Sequence, residues 1–257
     1  MLPTLFVSHG SPALAFEDVP ARAFFLGLGR SLPRPAAILC VTAHWNTEKP
    51  ALSGTAHPGT IHDFAGFPRE LYGVRYAAPG APALAARAAA LLAAAGIGAD
   101  IDPARGLDHG AWSPLALAYP EADVPVVQLS VQPRRDAAHH QALGRALAPL
   151  RADGVLVLGS GAATHNLTEF GRHKLDEAPI GYARAFDEWL ARALETNDEA
   201  ALLDWESAPH ARRNHPSPEH FLPLFVARGA AGAQARATRL HASWTYGFLS
   251  MAAYAFA

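Results

Sequence analysis

The chain has 257 residues, half of them apolar and 17% charged, with a net charge of −2. That composition supplies a sizeable buried core, so a single domain over 1–257 is expected; it excludes a disordered chain and lacks the basic surface that a nucleic-acid backbone requires. The single cysteine, Cys40, lies in the run Ala-Ile-Leu-Cys-Val, which rules out an intramolecular disulfide and suits a buried, inert thiol in a reducing compartment.

In chain order, the first apolar run, Thr4–Ser8, reads as a strand. It is cut short by His9, Gly10 and Pro12 and has no basic segment before it, unlike a signal peptide. A helix over 19–30 and a strand over Ala36–Thr42 follow. A Pro/Gly-rich stretch near 47–80 is expected to form loops over one end of a sheet. The Ala-rich tract around 81–98, interrupted by Pro82 and Arg87, fits a packed helix over 82–95 better than a membrane span. Strand Val124–Ser130, helix 137–150, strand Gly154–Leu158, helix 180–196, helix 218–228 and strand Phe248–Tyr254 complete the pattern. Apolar strands alternating with helices predict an α/β fold with a mostly parallel sheet covered on both faces. There is no internal repeat or linker, and the expected protein is cytoplasmic, a monomer or small homo-oligomer, with no membrane or nucleic-acid partner.

Thirteen histidines are a heavy allotment, and three follow strand runs: His9 after Leu-Phe-Val-Ser, His44 after Cys-Val-Thr-Ala, and His165 after Gly-Ser-Gly-Ala-Ala-Thr. The carboxyl ends of parallel strands line the ligand crevice of open α/β sheets, so three imidazoles there can converge on one metal ion. Taken singly, each is more often a hydrogen-bonded surface or loop residue than a ligand. His109 reads as a residue of a Gly-flanked loop beside Asp108 and Trp112, facing a polar substrate group or satisfied locally. Pro218-Glu-His-Phe-Leu-Pro-Leu reads as a helix start with Ser217 as N-cap; adjacent helix residues point about 100° apart, so Glu219 and His220 are alternatives as ligands. His62 and His241 are further candidates for lining a pocket, whereas His139, His140, His173 and His210 lie in polar sequence and read as exposed.

Seven blocks carry a family resemblance: Ser8-His-Gly-Ser-Pro, Ala43-His-Trp, Thr60-Ile-His-Asp-Phe-Ala-Gly-Phe-Pro, Asp108-His-Gly-Ala-Trp, Val126-Val-Gln-Leu-Ser, His165-Asn-Leu and Pro218-Glu-His-Phe-Leu-Pro-Leu. In this order, from about residue 3 to the C-terminus, the chain resembles the DOPA-dioxygenase branch of the class III extradiol ring-cleaving dioxygenases. The resemblance implies a three-layer αβα fold with a mostly parallel or mixed sheet. It also implies one divalent metal, Fe(II) for ring cleavage and often Zn(II) in proteins as isolated. His9, His44 and His220 then correspond to metal ligands, with Glu219 the second choice for the third position. His165 corresponds to the catalytic histidine beside the metal, itself a possible fourth ligand, and His109 to a substrate-facing group.

Under this reading the substrates are a small aromatic catechol and O₂, and the product is a yellow semialdehyde. A neutral imidazole suits removal of a catechol proton near pH 7, a role that falls to His165. Trp45, Phe64, Phe67 and Trp112 are candidate walls for the ring, although each taken alone is more often an ordinary core residue. A zinc hydrolase uses a similar open three-ligand site, but neither His-Glu-x-x-His nor Gly-x-Ser-x-Gly occurs. A non-catalytic binding protein on the same fold is the other alternative.

Overall fold

Successive residues of an extended chain point to opposite sides, so a strand covered on both faces must be apolar at nearly every position. The computed structural model describes all 257 residues. β1 (Thr4–Ser8) leads into α1 (Pro20–Ser31), then β2 (Ala37–Asn46), β3 (Ala51–Ser53), α2 (Pro82–Ala94) and β4 (Asp100–Asp102). Next come α3 (His109–Ala118), β5 (Val126–Val131), α4 (Ala137–Leu147) and β6 (Val155–Gly161). The last third holds α5 (Gly181–Glu195), α6 (Glu199–Leu203), α7 (Ala211–Asn214) and α8 (Leu222–Ala231), then β7 (Ala237–His241), β8 (Trp244–Thr245), β9 (Leu249–Ser250) and β10 (Ala253–Phe256).

Eight strands form one mixed sheet in the order β4-β3-β5-β2-β6-β1-β10-β7, while β8 and β9 pair separately. The four central strands, β5, β2, β6 and β1, are parallel. β3 and β10 join them antiparallel on either side. Leu39, Val41, Val127 and Leu129 face one cluster of 33 buried residues with α2, α4, α5 and α8. Ile38, Cys40, Val126 and Leu158 face a second cluster of 28 with α1 and α3. Helices on both faces give the three-layer αβα arrangement, and each large aliphatic side chain so buried contributes about 1.5–3 kcal/mol. Cys40 is buried and its thiol is pushed well up by that burial, so it is unreactive. No helix is long and apolar enough to cross a membrane.

Several elements differ from expectation for local reasons. The helix expected over 218–228 begins only at Leu222, because the backbone N–H groups of Phe221 and Leu222 close a turn on the Pro218 carbonyl and the Ser217 hydroxyl bonds Glu219 instead of capping. The strand expected over Phe248–Tyr254 is split in two. Met251 and Ala252 separate the pieces, and the hydroxyls of Thr164 and Ser8 take up the Ser250 N–H and the Ala252 carbonyl. The loop expected around His109 is the buried helix α3, capped by Asp108, whose carboxylate accepts from the Ala111 N–H. His140, expected on the surface, is fully buried against Gln132 and Asp136.

Candidate active site

The carboxyl ends of β1, β2 and β6 and the start of α8 meet at one edge of the parallel core, the place where such sheets hold their ligands. His9 immediately follows β1, and His165 stands four residues past β6. His44 lies within β2, which continues to Asn46 through a register shift, rather than beyond its end. Two glycines make the approach possible. A Cβ at Gly110 would stand 2.8 Å from the His44 ring, and one at Gly161 would overlap the His220 carbonyl, which accepts from the Ala162 N–H.

Each of three imidazoles is held from behind. Pro114, inside α3, has no N–H for the Gly110 carbonyl, so that carbonyl accepts from the Ser160 hydroxyl. Ser160 Oγ, its proton committed, accepts at 3.1 Å from His9 Nδ1–H. His44 Nδ1 lies 3.2 Å from Asp63 Oδ2, a charge contact rather than a hydrogen bond, and His220 Nδ1–H donates to Glu219 Oε1 at 3.1 Å. In this tautomer all three Nε2 atoms present lone pairs, and they face one another: His9 to His44 at 3.1 Å and His44 to His220 at 3.2 Å.

Lone pairs brought this close repel unless a cation lies between them. A metal bound by imidazole at about 2.0–2.1 Å spaces neighbouring donors by about 3.0–3.4 Å, so the donor set fits one divalent ion. The outer acceptors match the partners that metal-binding imidazoles normally carry. Burial first, and the neighbouring imidazoles second, hold His9 and His220 well below the usual histidine range and bring His44 to about 3. Without the ion, these side chains therefore stay neutral at pH 7.

Two more histidines face the same space. The His165 ring stacks on His220 with centroids 3.4 Å apart and 11° between planes; burial, then His215 and His109, lower it to about 3. No group of the chain hydrogen-bonds its ring nitrogens. His109, the first residue of α3, donates both its backbone N–H and its Nδ1–H to Asp63 Oδ1, each at 3.0 Å, and its ring lies 3.9 Å from that of His44. Burial alone would raise the Asp63 carboxyl, but the bonds from His109 and the nearby His44 draw it down to about 2. Behind these residues, Asp108 is fully buried and accepts from Thr42, Gln128 and Arg105, tying β2, β5 and α3 together. Loss of one member of such a buried pair costs roughly 3–5 kcal/mol.

Residues 4–257 match the family described as the catalytic LigB subunit of aromatic ring-opening dioxygenase. The chain belongs to that family. It is 46% identical over 258 residues to the 4,5-DOPA dioxygenase extradiol of Beta vulgaris, covering 98% of this chain and 96% of the relative. Identity to the 4,5-DOPA dioxygenase extradiol of Escherichia coli K12 is 40% over 232 residues, or 89% and 85% of the two chains. The fold superposes on the crystal structure of an uncharacterized Escherichia coli K12 protein with a TM-score of 0.83, at 33% identity and 100% coverage of both chains. An extradiol ring-cleaving dioxygenase is thereby established, in place of the hydrolase or the silent binder.

In this extradiol dioxygenase the histidines floor a cleft of 430 Å³, within the range of small-molecule sites. Phe64 and Phe67 line it as expected. His62, Trp45 and Trp112 do not. His62 bonds the Val74 carbonyl, Trp112 is buried and donates to the Ile61 carbonyl, and Trp45 is buried with the Arg105 guanidinium over its face. His241 stacks on Phe24 away from the cleft. Glu219 stands behind His220 rather than facing His9 and His44. Asp63 and Ser160 are the residues that sequence reasoning passed over. Asp63 sits between His62 and Phe64 in the most distinctive block, so its signal was present; Ser160 had none beyond its place between two glycines.

Proposed function

We propose that this dioxygenase opens catechol rings using one divalent metal, Fe(II), held by His9, His44 and His220. The observation that carries the proposal is the convergence of three Nε2 lone pairs, with Ser160 and Glu219 accepting from the far nitrogens of His9 and His220 and the Asp63 carboxylate beside that of His44. A bound redox-active ion with open positions supplies electron transfer between catechol and O₂, which closed-shell Zn(II), although it suits the same donors, does not. The set departs from the two-histidine, one-carboxylate arrangement common among Fe(II) oxygenases, since Glu219 lies in the outer layer.

The remaining work falls to the chain. His165, neutral and free of protein partners, accepts a proton from one catechol hydroxyl as the substrate enters; the oxygen anion left beside the ring raises its proton affinity back toward neutrality. His109 faces the substrate with Nε2, and Asp63 stabilises the imidazolium if that nitrogen takes up a proton. Phe64 and Phe67 pack on the ring and limit water, while the cleft holds substrate and O₂ side by side and so supplies proximity. Both atoms of O₂ enter the product as a ring C–C bond beside the diol breaks, giving a semialdehyde with no other co-product.

The test is anaerobic loading of the metal-free protein with Fe(II), addition of a catechol such as DOPA or protocatechuate, then air. One O₂ consumed per yellow product, reduced to background in His9→Ala and His44→Ala, is expected. Stoichiometric metal uptake without oxygen consumption across a panel of catechols would refute the proposal.

A further inference from the structure

We propose that His215 is a positioning residue: its Nε2–H holds the backbone of the segment that carries His165 and so aims the His165 ring at the substrate. The inference rests on the proton-accepting role given to His165 above. It concerns a side chain that stands behind the cleft and does not line it.

The His165 ring is placed by its stack on His220 and by the backbone of residues 162–166, since no side chain grips its nitrogens. That backbone is fastened on two sides. Towards β1 and β9, the Ala163 N–H donates to the Ser8 hydroxyl at 3.0 Å. The Thr164 hydroxyl donates to the Phe248 carbonyl at 2.8 Å and accepts from the Ser250 N–H at 2.7 Å. Towards α7, the His165 N–H donates to the Asn214 carbonyl at 2.9 Å, and the Ala163 carbonyl accepts from His215 Nε2–H at 3.0 Å. The α7 side therefore holds the segment by two rungs, at residues 163 and 165, and one rung is a side chain.

The surroundings of His215 show what the imidazole contributes. It is buried among Phe186, Trp205 and Phe221, with ring centroids 5.3, 5.7 and 4.9 Å away. With the proton on Nε2, Nδ1 carries a lone pair that meets no donor of the chain. Such an apolar cage suits a phenyl ring better than an imidazole with an unmatched nitrogen, so the bond to Ala163 is the one thing a histidine adds there. Burial brings the ring to about 4; at pH 7 it is neutral and puts no charge beside His165. A base must stand within hydrogen-bond reach of the proton it takes, and misplacement by about 1 Å costs roughly 100-fold in rate. A rung that fixes the His165 backbone thus acts on the proton transfer without touching the substrate.

The experiment compares His215→Phe, which fills the cage without the donor, with His215→Gln, whose side-chain amide N–H reaches about as far as Nε2. Each is loaded with Fe(II) and given, in air, a catechol that the unaltered protein cleaves. Both variants should bind one ion per chain. In His215→Phe, kcat should fall roughly 10-fold to 100-fold while KM changes by less than about twofold, and His215→Gln should recover most of the loss. In single turnovers of His165→Ala, adding His215→Phe should change the rate by less than about twofold, because a residue that acts through His165 has nothing left to act on. Where His215→Phe does not fold, His215→Met, whose flexible chain fits irregular core space, carries the same expectations. Unchanged kcat in the variant without the donor, loss of its bound ion, or an equal fall in rate with and without His165 would overturn the inference while leaving ring cleavage intact. Undiminished turnover in His165→Ala alone would instead overturn the proton-accepting role on which the inference rests.

Discussion

The buried histidines of this protein fall into two kinds, and the contrast between them separates structural burial from a functional centre. His140 on α4 is fully buried, with Nδ1–H donating to the Asp136 carbonyl at 2.8 Å and Nε2 accepting from the Gln132 N–H at 3.1 Å. Both ring nitrogens have the partner they need, and the side chain acts as a bracket between β5 and α4. His9 and His220 are buried to a similar degree and His44 is half-buried, but each turns its Nε2 towards equally unsatisfied neighbours. Burial of an imidazole therefore says little; convergence of unpaired nitrogens says that something else binds there.

The sharpest way to break this comparison is to truncate one member of each kind. His44→Ala should abolish stoichiometric binding of a divalent ion in equilibrium dialysis. His140→Ala should keep one ion per chain and lower the unfolding free energy by about 1–3 kcal/mol, the cost of leaving the Gln132 N–H unpaired in the core. Retention of one ion in His44→Ala would dissolve the distinction.

Next in size is a pH effect on the metal-free protein. Burial brings both His140 and His215 to about 4, far below the value near 6.5 of the unfolded chain. Between those values the unfolded chain binds protons that the folded chain does not, so stability rises with pH there. It is full above about pH 6.5 and falls as pH drops to 4, by up to about 3 kcal/mol from each residue. Urea unfolding at a series of pH values reads this directly, and a flat profile would contradict the burial of these rings.

The smallest expected effect concerns the layer behind the proposed metal ligands. Asp63→Asn removes the carboxylate that accepts the His109 proton and stands 3.2 Å from His44 Nδ1, and the amide can donate towards that nitrogen, favouring the wrong tautomer of His44. Metal affinity should fall about 10–100-fold, with partial recovery in Asp63→Glu. Unchanged affinity and turnover would mean that packing alone orients His44.

The parallel strands were legible in the sequence because they obey a simple rule: runs such as Ile38-Leu-Cys-Val must be apolar throughout when both faces are covered. His9 and His44 could be located because they end or follow such runs. α3 was hidden by Gly110 and Pro114, which read as loop signals, yet Pro114 only releases a carbonyl that Ser160 then uses. His140 was misread from its polar neighbours, although it falls on the repeat of Ala137, Gln141 and Gly144 that α4 buries. Trp45 and Trp112 show the reverse error, since aromatic residues near a site pack behind it as readily as inside it.

What the sequence determined by itself was local: strand and helix types set by apolar periodicity, and a resemblance carried by short blocks such as Ile61-His-Asp-Phe. Which imidazoles meet was decided only by tertiary structure. His9 and His220 stand 211 positions apart in the chain, and their approach depends on α8 docking against glycines of β6. The direction of each lone pair was likewise a matter of contact. It depends on which outer atom stands behind the opposite nitrogen, and Ser160, Asp63 and Glu219 reach those positions only after the sheet has formed and the helices have packed on it.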